Sequence, residues 1–289
     1  MSRRPGRPSI FWEALAVVVL RPLLFILVKR DWRGSLPREG GCIVALNHLS
    51  TIDPLLISHF LYVNGRWMVF MIKGSLFEVP VLGWVLRKLV QIPVARGRAD
   101  AALSLKHAEK ALREGACVIV YPEGTVTRDP DLWPMTAKTG VARLALATGA
   151  PVIPVAHWGA QELLPYGKET RPRLLPRKTF HVIAGPPVDL SKYEGRPMRG
   201  SVLREATADI MRAITDQLAE LRGEKAPDTP YDMNRAGAGN GAAANGKVDG
   251  KDVVAASGAS GVSGASGTPG PEAATTRPED GSADTLADI

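Results

Sequence analysis

The sequence predicts an α/β domain, a largely parallel mixed sheet flanked by helices, with an N-terminal membrane-associated helical segment and a disordered C-terminal tail. Three observations predict it. Apolar runs of strand length alternate with amphipathic stretches of helix length up to Gly223. Residues able to do chemistry stand directly after those runs, where open α/β sheets place their sites. From Glu224 onward almost no large apolar residues occur, so that stretch lacks the surface a core must bury. The expected units are therefore 1–33, 34–223 and 224–289.

In the first unit, Ser2-Arg3-Arg4-Pro5-Gly6-Arg7 leads into an apolar stretch from Ile10 to Val28, closed by Lys29-Arg30-Asp31-Trp32-Arg33. That length just suffices to span a bilayer, yet Glu13 and Arg21-Pro22 interrupt it, and no small-residue cleavage site follows. Cations on both flanks leave its orientation open. A helix or broken hairpin lying in the cytoplasmic leaflet fits most of these facts, and a true span or a buried core helix are the alternatives. The expected location is the cell membrane, peripheral or monotopic on the cytoplasmic face.

In the second unit, Cys42-Ile43-Val44-Ala45-Leu46 reads as a buried strand, and Pro54 to Tyr62 as a helix opened by proline. Arg66 to Ile72 reads as a strand that delivers Lys73. Leu76 to Leu89, with Pro80 and Gly83, reads as a short helix pair whose apolar surface is either core or a lipid-facing rim. Gln91 to Ala95 is a short strand entering Arg96-Gly97-Arg98, and Asp100 is placed to cap the next helix, which ends at Gly115. Ala116 to Tyr121 is the clearest strand and runs into Pro122-Glu123-Gly124-Thr125. A helix from about Thr136 to Thr148, strands at Pro151–Trp158 and Thr179–Ala184, and a helix with Leu203, Ala206, Ile210, Ile214, Leu218 and Leu221 on one face complete the domain.

Charge follows the same boundary. The tail carries five Lys and Arg against ten Asp and Glu, net −5, which leaves 31 against 19 in residues 1–223, net +12. A basic body fits a negatively charged partner: nucleic acid, an anionic membrane face or a phosphorylated substrate. No nucleic-acid reading motif accompanies the charge, so nucleic acid is not an expected partner. Cys42 and Cys117 each sit inside an apolar run and read as buried, reduced thiols.

Three strand ends offer chemistry. After the first stands His48, with Asp53 five residues on, a spacing that lets a carboxylate fold back to orient an imidazole acting as general base. Arg96-Gly97-Arg98 and Glu123-Gly124-Thr125 with Arg128 offer glycine-opened turns and fork-shaped cations that suit phosphate oxygens, although each alone also reads as an ordinary turn or a solvated charge. No Gly-x-Ser-x-Gly elbow supplies a nucleophile, so the substrate is expected to bring its own, such as a hydroxyl. No Gly-x-Gly-x-x-Gly, Walker loop or zinc spacing is present, and neither a metal nor a cofactor is expected.

Asn47-His48-Leu49-Ser50-Thr51-Ile52-Asp53, Lys73 with Leu76-Phe77 and Pro80-x-x-Gly83, Ile92-Pro93-Val94-Ala95-Arg96-Gly97, Tyr121-Pro122-Glu123-Gly124-Thr125 and Val152-Ile153-Pro154-Val155-Ala156 together resemble the ordered blocks of the glycerolipid acyltransferases. The type they most resemble is 1-acylglycerol-3-phosphate acyltransferase, over about residues 30–190. The resemblance implies acyl transfer from acyl-CoA or acyl carrier protein to the free hydroxyl of lysophosphatidic acid, giving phosphatidic acid at a membrane surface. It implies His48 as base and Asp53 as its partner, with Arg96, Glu123, Gly124 and Thr125 on the glycerol-phosphate part. Lys73 would lie near the acceptor phosphate, and Pro154 would shape the acyl side.

Two positions depart from the family pattern. Val126 stands where an arginine commonly follows Glu-Gly-Thr, which leaves Arg128 to meet the phosphate or a different headgroup to be accepted. Ser75 stands where an acidic residue is frequent. Both touch the acceptor and leave the transfer chemistry intact. The alternatives are a different lysolipid acceptor and a catalytically silent module that binds anionic lipid.

Overall fold

The computed structural model describes residues 7–94, 98–167 and 171–233. Arg96 and residues 234–289 of the expected tail lie outside the described residues.

The chain opens with helix α1 (Ile10–Leu27), which runs without interruption through Pro22. Of the two forms expected, a helix or a broken hairpin, the backbone is the helix. It is long and apolar enough to cross a membrane, with a mean hydropathy of 2.2 and only 6% of its length buried. Strand β1 (Val28–Arg33) follows directly, formed by the residues read from sequence as the cationic flank. Then come β2 (Cys42–Leu46), α2 (Asp53–Val63), β3 (Met68–Lys73), α3 (Pro80–Lys88), β4 (Ile92–Val94), α4 (Arg98–Arg113), β5 (Cys117–Val120), α5 (Gly140–Thr148), β6 (Val152–Trp158), α6 (Ala160–Leu163), β7 (Lys178–Ala184) and α7 (Gly200–Arg222).

The seven strands form one sheet in the order β1-β7-β6-β2-β5-β3-β4. Every neighbouring pair is parallel except β6 with β7. The predicted α/β class with a largely parallel mixed sheet is the observed one. β2 lies between β5 and β6 with all five residues buried, as expected of a strand covered on both faces. The loops leaving β2, β5 and β6 at their carboxyl ends are thereby neighbours, and they build the site.

α7 buries Val202, Leu203, Ala206, Ile210, Ile214 and Leu218 at three- and four-residue steps and stops at Gly223, whose φ of +65° a side chain would disfavour. Cys42 and Cys117 face each other in register on β2 and β5, both free and fully buried.

Two boundaries differ from expectation. α5 starts at Gly140 rather than near Thr136, and the residues before it are tied to the turn after β5, the Met135 and Lys138 amides donating to Glu123 Oε2 and to the Pro122 carbonyl. α4 starts at Arg98, which puts Asp100 in its first turn instead of at its cap. Residues 224–233 pack back on the body, with the Thr136 amide donating to the Tyr231 carbonyl at 3.0 Å.

Candidate active site

His48 leaves the end of β2 and Asp53 opens α2. His48 Nδ1 and Asp53 Oδ2 are 2.8 Å apart. The same oxygen accepts the Leu49 amide at 2.7 Å and the Ser50 amide at 2.9 Å, so the loop is wound around one carboxylate oxygen. Asp53 is fully buried, whereas the His48 side chain keeps 16% exposure. A carboxylate at Nδ1 places the proton on that nitrogen and leaves Nε2 as the acceptor. An imidazole held in this way, with its side chain partly exposed, has the arrangement general-base chemistry needs.

The turn after β5 braces this loop from the other side. Glu123 Oε1 accepts the His48 amide at 3.2 Å, and Oε2 accepts the Met135 amide at 2.9 Å. Burial pushes the Glu123 carboxyl up to about 8, against the pull of those two amides. The Thr127 amide donates to the His48 carbonyl at 2.8 Å, closing the brace. The Tyr121 ring stacks on the His48 ring with centroids 4.2 Å apart and planes 27° apart. Its hydroxyl is buried without a hydrogen-bond partner among the described residues, and burial holds the phenol well above its usual range. Gly124 has φ +70°, and a Cβ there would come within 3.2 Å of Lys138 Cε. Glycine thus lets the Lys138 chain lie across the turn.

A third strand contributes from below. The Asn47 side chain pairs with the His157 backbone as a strand would, Nδ2 donating to the His157 carbonyl and Oδ1 accepting its amide, each at 3.0 Å. The His157 ring lies fully buried under the carboxylate, its Nε2 2.9 Å from the Asn47 carbonyl and 3.5 Å from Asp53 Oδ2. Burial lowers this imidazole's proton affinity, so it stands neutral with Nε2–H directed at those two oxygens.

The structure brings His48, Asp53, Glu123, Gly124 and Thr125 together at adjacent strand ends. Glu123, expected on the glycerol-phosphate part, is 2% exposed with both oxygens on backbone amides. Lys73 is exposed at the end of β3, in register with Val94 two residues before Arg96. Arg128 is exposed and turned to Tyr166: Nη2 donates to the hydroxyl at 2.8 Å, and the guanidinium lies 4.6 Å above the ring. Pro154 is buried in β6 and stands apart from the cluster. Its ring lies beside Gly185 on the α7 side, and alternation along the strand turns it away from the face of His157. Sequence reasoning passed over Tyr121 as a ring partner, His157 and Lys138. A histidine ending an apolar run carries no spacing signal, and Lys138 belongs to no motif.

Next to the loop opens an apolar cavity of about 300 Å³, walled by α1, α2, β3 and α3, with Thr51 and Pro54 at the catalytic-loop side and Leu20, Trp67, Phe70 and Leu86 among its walls. Trp12 of α1 meets Trp84 of α3 edge to face at 4.9 Å beside it. His59, also on its wall, is 4% exposed, and neither of its ring nitrogens has a hydrogen-bond partner among the described residues. Burial, then Arg30 and Arg21, hold its imidazole down to about 4.

Residues 29–158 match the family model described as Acyltransferase. The chain is 31% identical over 150 residues to the 1-acyl-sn-glycerol-3-phosphate acyltransferase BAT2, chloroplastic, of Brassica napus, covering 50% of this chain and 42% of that protein. It is 31% identical over 152 residues to the 1-acyl-sn-glycerol-3-phosphate acyltransferase of Pseudomonas aeruginosa, covering 52% and 56%. The chain spans about half the length of the curated relatives it matches. Among solved structures, the crystal structure of the 1-acyl-sn-glycerophosphate acyltransferase PlsC from Thermotoga maritima shares the fold, with a TM-score of 0.55 and 24% identity over 74% of this chain and 84% of that one.

Proposed function

We propose that this chain, whose residues 29–158 match the Acyltransferase family model, is an acyltransferase that moves a fatty acyl group from acyl-CoA or acyl carrier protein to the free hydroxyl of lysophosphatidic acid, making phosphatidic acid. The observation that carries the reading is the His48–Asp53 pair, an imidazole held at Nδ1 by a buried carboxylate.

In this reading His48 Nε2 takes the proton of the acceptor hydroxyl as its oxygen bonds to the thioester carbonyl carbon. The carbon–sulfur bond then breaks, and the thiolate leaves with the proton returned from His48. Asp53 holds the imidazole through the charged state. The Gly124 amide is taken by the Tyr121 carbonyl, and in this reading the Thr125 amide of the same turn serves the developing oxyanion. Lys73, Arg96 and Arg128 take the acceptor's phosphate, Glu123 fixes the turn, and Pro154 supports β6 beneath it. The cavity beside Thr51 and Pro54 suits an acyl chain, being lined almost wholly by apolar groups. The exposed apolar side of α1, including Ile10, Phe11, Val18 and Ile26, suits the cytoplasmic leaflet from which both lipids are drawn.

A second acceptor is favoured by one observation. Val126 is 5% exposed, so the position following Glu-Gly-Thr presents no cation, and Arg128 is engaged by Tyr166. The test is a lysolipid panel assayed with both donors. The proposal expects lysophosphatidic acid to be acylated fastest. Faster transfer to another lysolipid reassigns the acceptor, and no transfer from either donor leaves a silent lipid-binding module.

A further inference from the structure

The loop before β7 and the first residue of that strand carry Arg171, Arg173, Leu174, Leu175, Arg177 and Lys178, four cations with no acid among them. Leu175 is 83% exposed, more than any other large apolar side chain among the described residues, and Leu174 beside it is 47% exposed. Two adjacent leucines facing water gain nothing from folding, which marks them for a partner.

The segment is not loosely hung. Arg177 Nη2 donates to the Phe25 carbonyl at 2.6 Å and the Val28 carbonyl at 2.9 Å, oxygens at the end of α1. A cation suits that end of a helix, where carbonyls lack intrahelical partners. The last turn of α1 exposes Phe25 at 54% and Ile26 at 66%, so the leucine pair stands close to a second apolar surface. At its other end the Arg173 amide donates to the Leu163 carbonyl at 2.8 Å, and the neighbouring Leu164 carbonyl accepts Ser50 Oγ at 2.6 Å. Ser50 belongs to the loop wound around Asp53. One short segment therefore touches the end of the apolar helix and, through Leu163 and its neighbour Leu164, is linked to the loop of Ser50.

A protein partner would bury the leucines and leave four cations to be matched one by one. A bilayer interface takes both at once: leucines enter the headgroup–acyl boundary while arginine and lysine stems reach back to phosphates. We propose that residues 171–178 are a second membrane contact, in which Leu174 and Leu175 insert into an anionic leaflet and Arg171, Arg173 and Lys178 meet its headgroups. The segment extends the surface of α1 and holds the catalytic loop at the interface. This rests on the reading of α1 as a membrane element.

The test uses the full chain and sedimentation with vesicles of phosphatidylcholine alone or with about 30% phosphatidylglycerol. Leu174→Ser with Leu175→Ser weakens binding to the anionic vesicles roughly tenfold or more, as loss of two apolar insertions implies. Arg171→Gln with Arg173→Gln lowers it several-fold at low salt and little at high salt. Both variants retain the wild-type melting temperature. An environment-sensitive dye on Leu175→Cys, in a chain whose two native cysteines are buried, shifts to the blue on anionic vesicles. Unchanged binding by the leucine variant with an unshifted dye overturns this proposal alone. Failure of the wild-type chain to bind any vesicle overturns the reading of α1, and this proposal with it.

Discussion

Glu123 Oε1 accepts the backbone amide of His48, joining two strand-end loops that lie 75 residues apart in the chain. The carboxylate thus acts on the imidazole's backbone and leaves its ring free. Glu123→Ala strands the His48 and Met135 amides in a buried site, and we expect about 2–4 kcal/mol of lost stability. Urea unfolding monitored by circular dichroism checks it.

Glu123 also sets a pH dependence. Its folded-state proton affinity is raised from 4.5 to about 8, so the stability it contributes is fully present below pH 4.5 and is lost as pH rises through 8. Melting temperature measured across that window should decline more steeply in the wild type than in Glu123→Gln.

His59 works in the opposite direction. Its affinity is lowered from 6.5 to about 4, so its contribution is present above pH 6.5 and disappears as pH falls toward 4. His59→Leu should flatten the acid side of the stability curve, by about 3 kcal/mol at most between those limits. An identical acid slope in the variant would contradict the placement of this imidazole.

Much of the site was legible from sequence because strand ends announce themselves: an apolar run stops, and the next residues are His48 or Glu123. β1 was hidden because Lys29-Arg30-Asp31 shows no alternation, and its pairing with β7 links residues 150 apart. The late start of α5 was hidden for a related reason, since Pro122 and Glu123 claim the Lys138 and Met135 amides. His157 was invisible because its tie to Asn47 spans 110 residues. Local pattern reads elements; contacts between distant loops have no period to read.

His157 lies under Asp53 and touches no solvent. His157→Phe removes the Nε2–H near the carboxylate and should lower kcat by about five- to tenfold, the equivalent of ~1 kcal/mol, with KM little changed. His157→Gln, which keeps a donor of similar reach, should recover most of it.

The proposed place of Arg128 on the acceptor's phosphate separates acceptor binding from chemistry. Arg128→Ala should raise KM for the lysolipid about tenfold, the loss of one charge-assisted contact, and leave kcat nearly unchanged. Tyr166→Phe, which drops the hydroxyl that Arg128 now donates to, should lower that KM.

The most direct measurement is acyl transfer by His48→Ala in membranes, with wild type and Asp53→Asn beside it. We expect the alanine variant to bind membranes normally and to lose at least about 10³-fold in kcat, with the asparagine variant intermediate. Transfer by His48→Ala at the wild-type rate would contradict its assignment as the base.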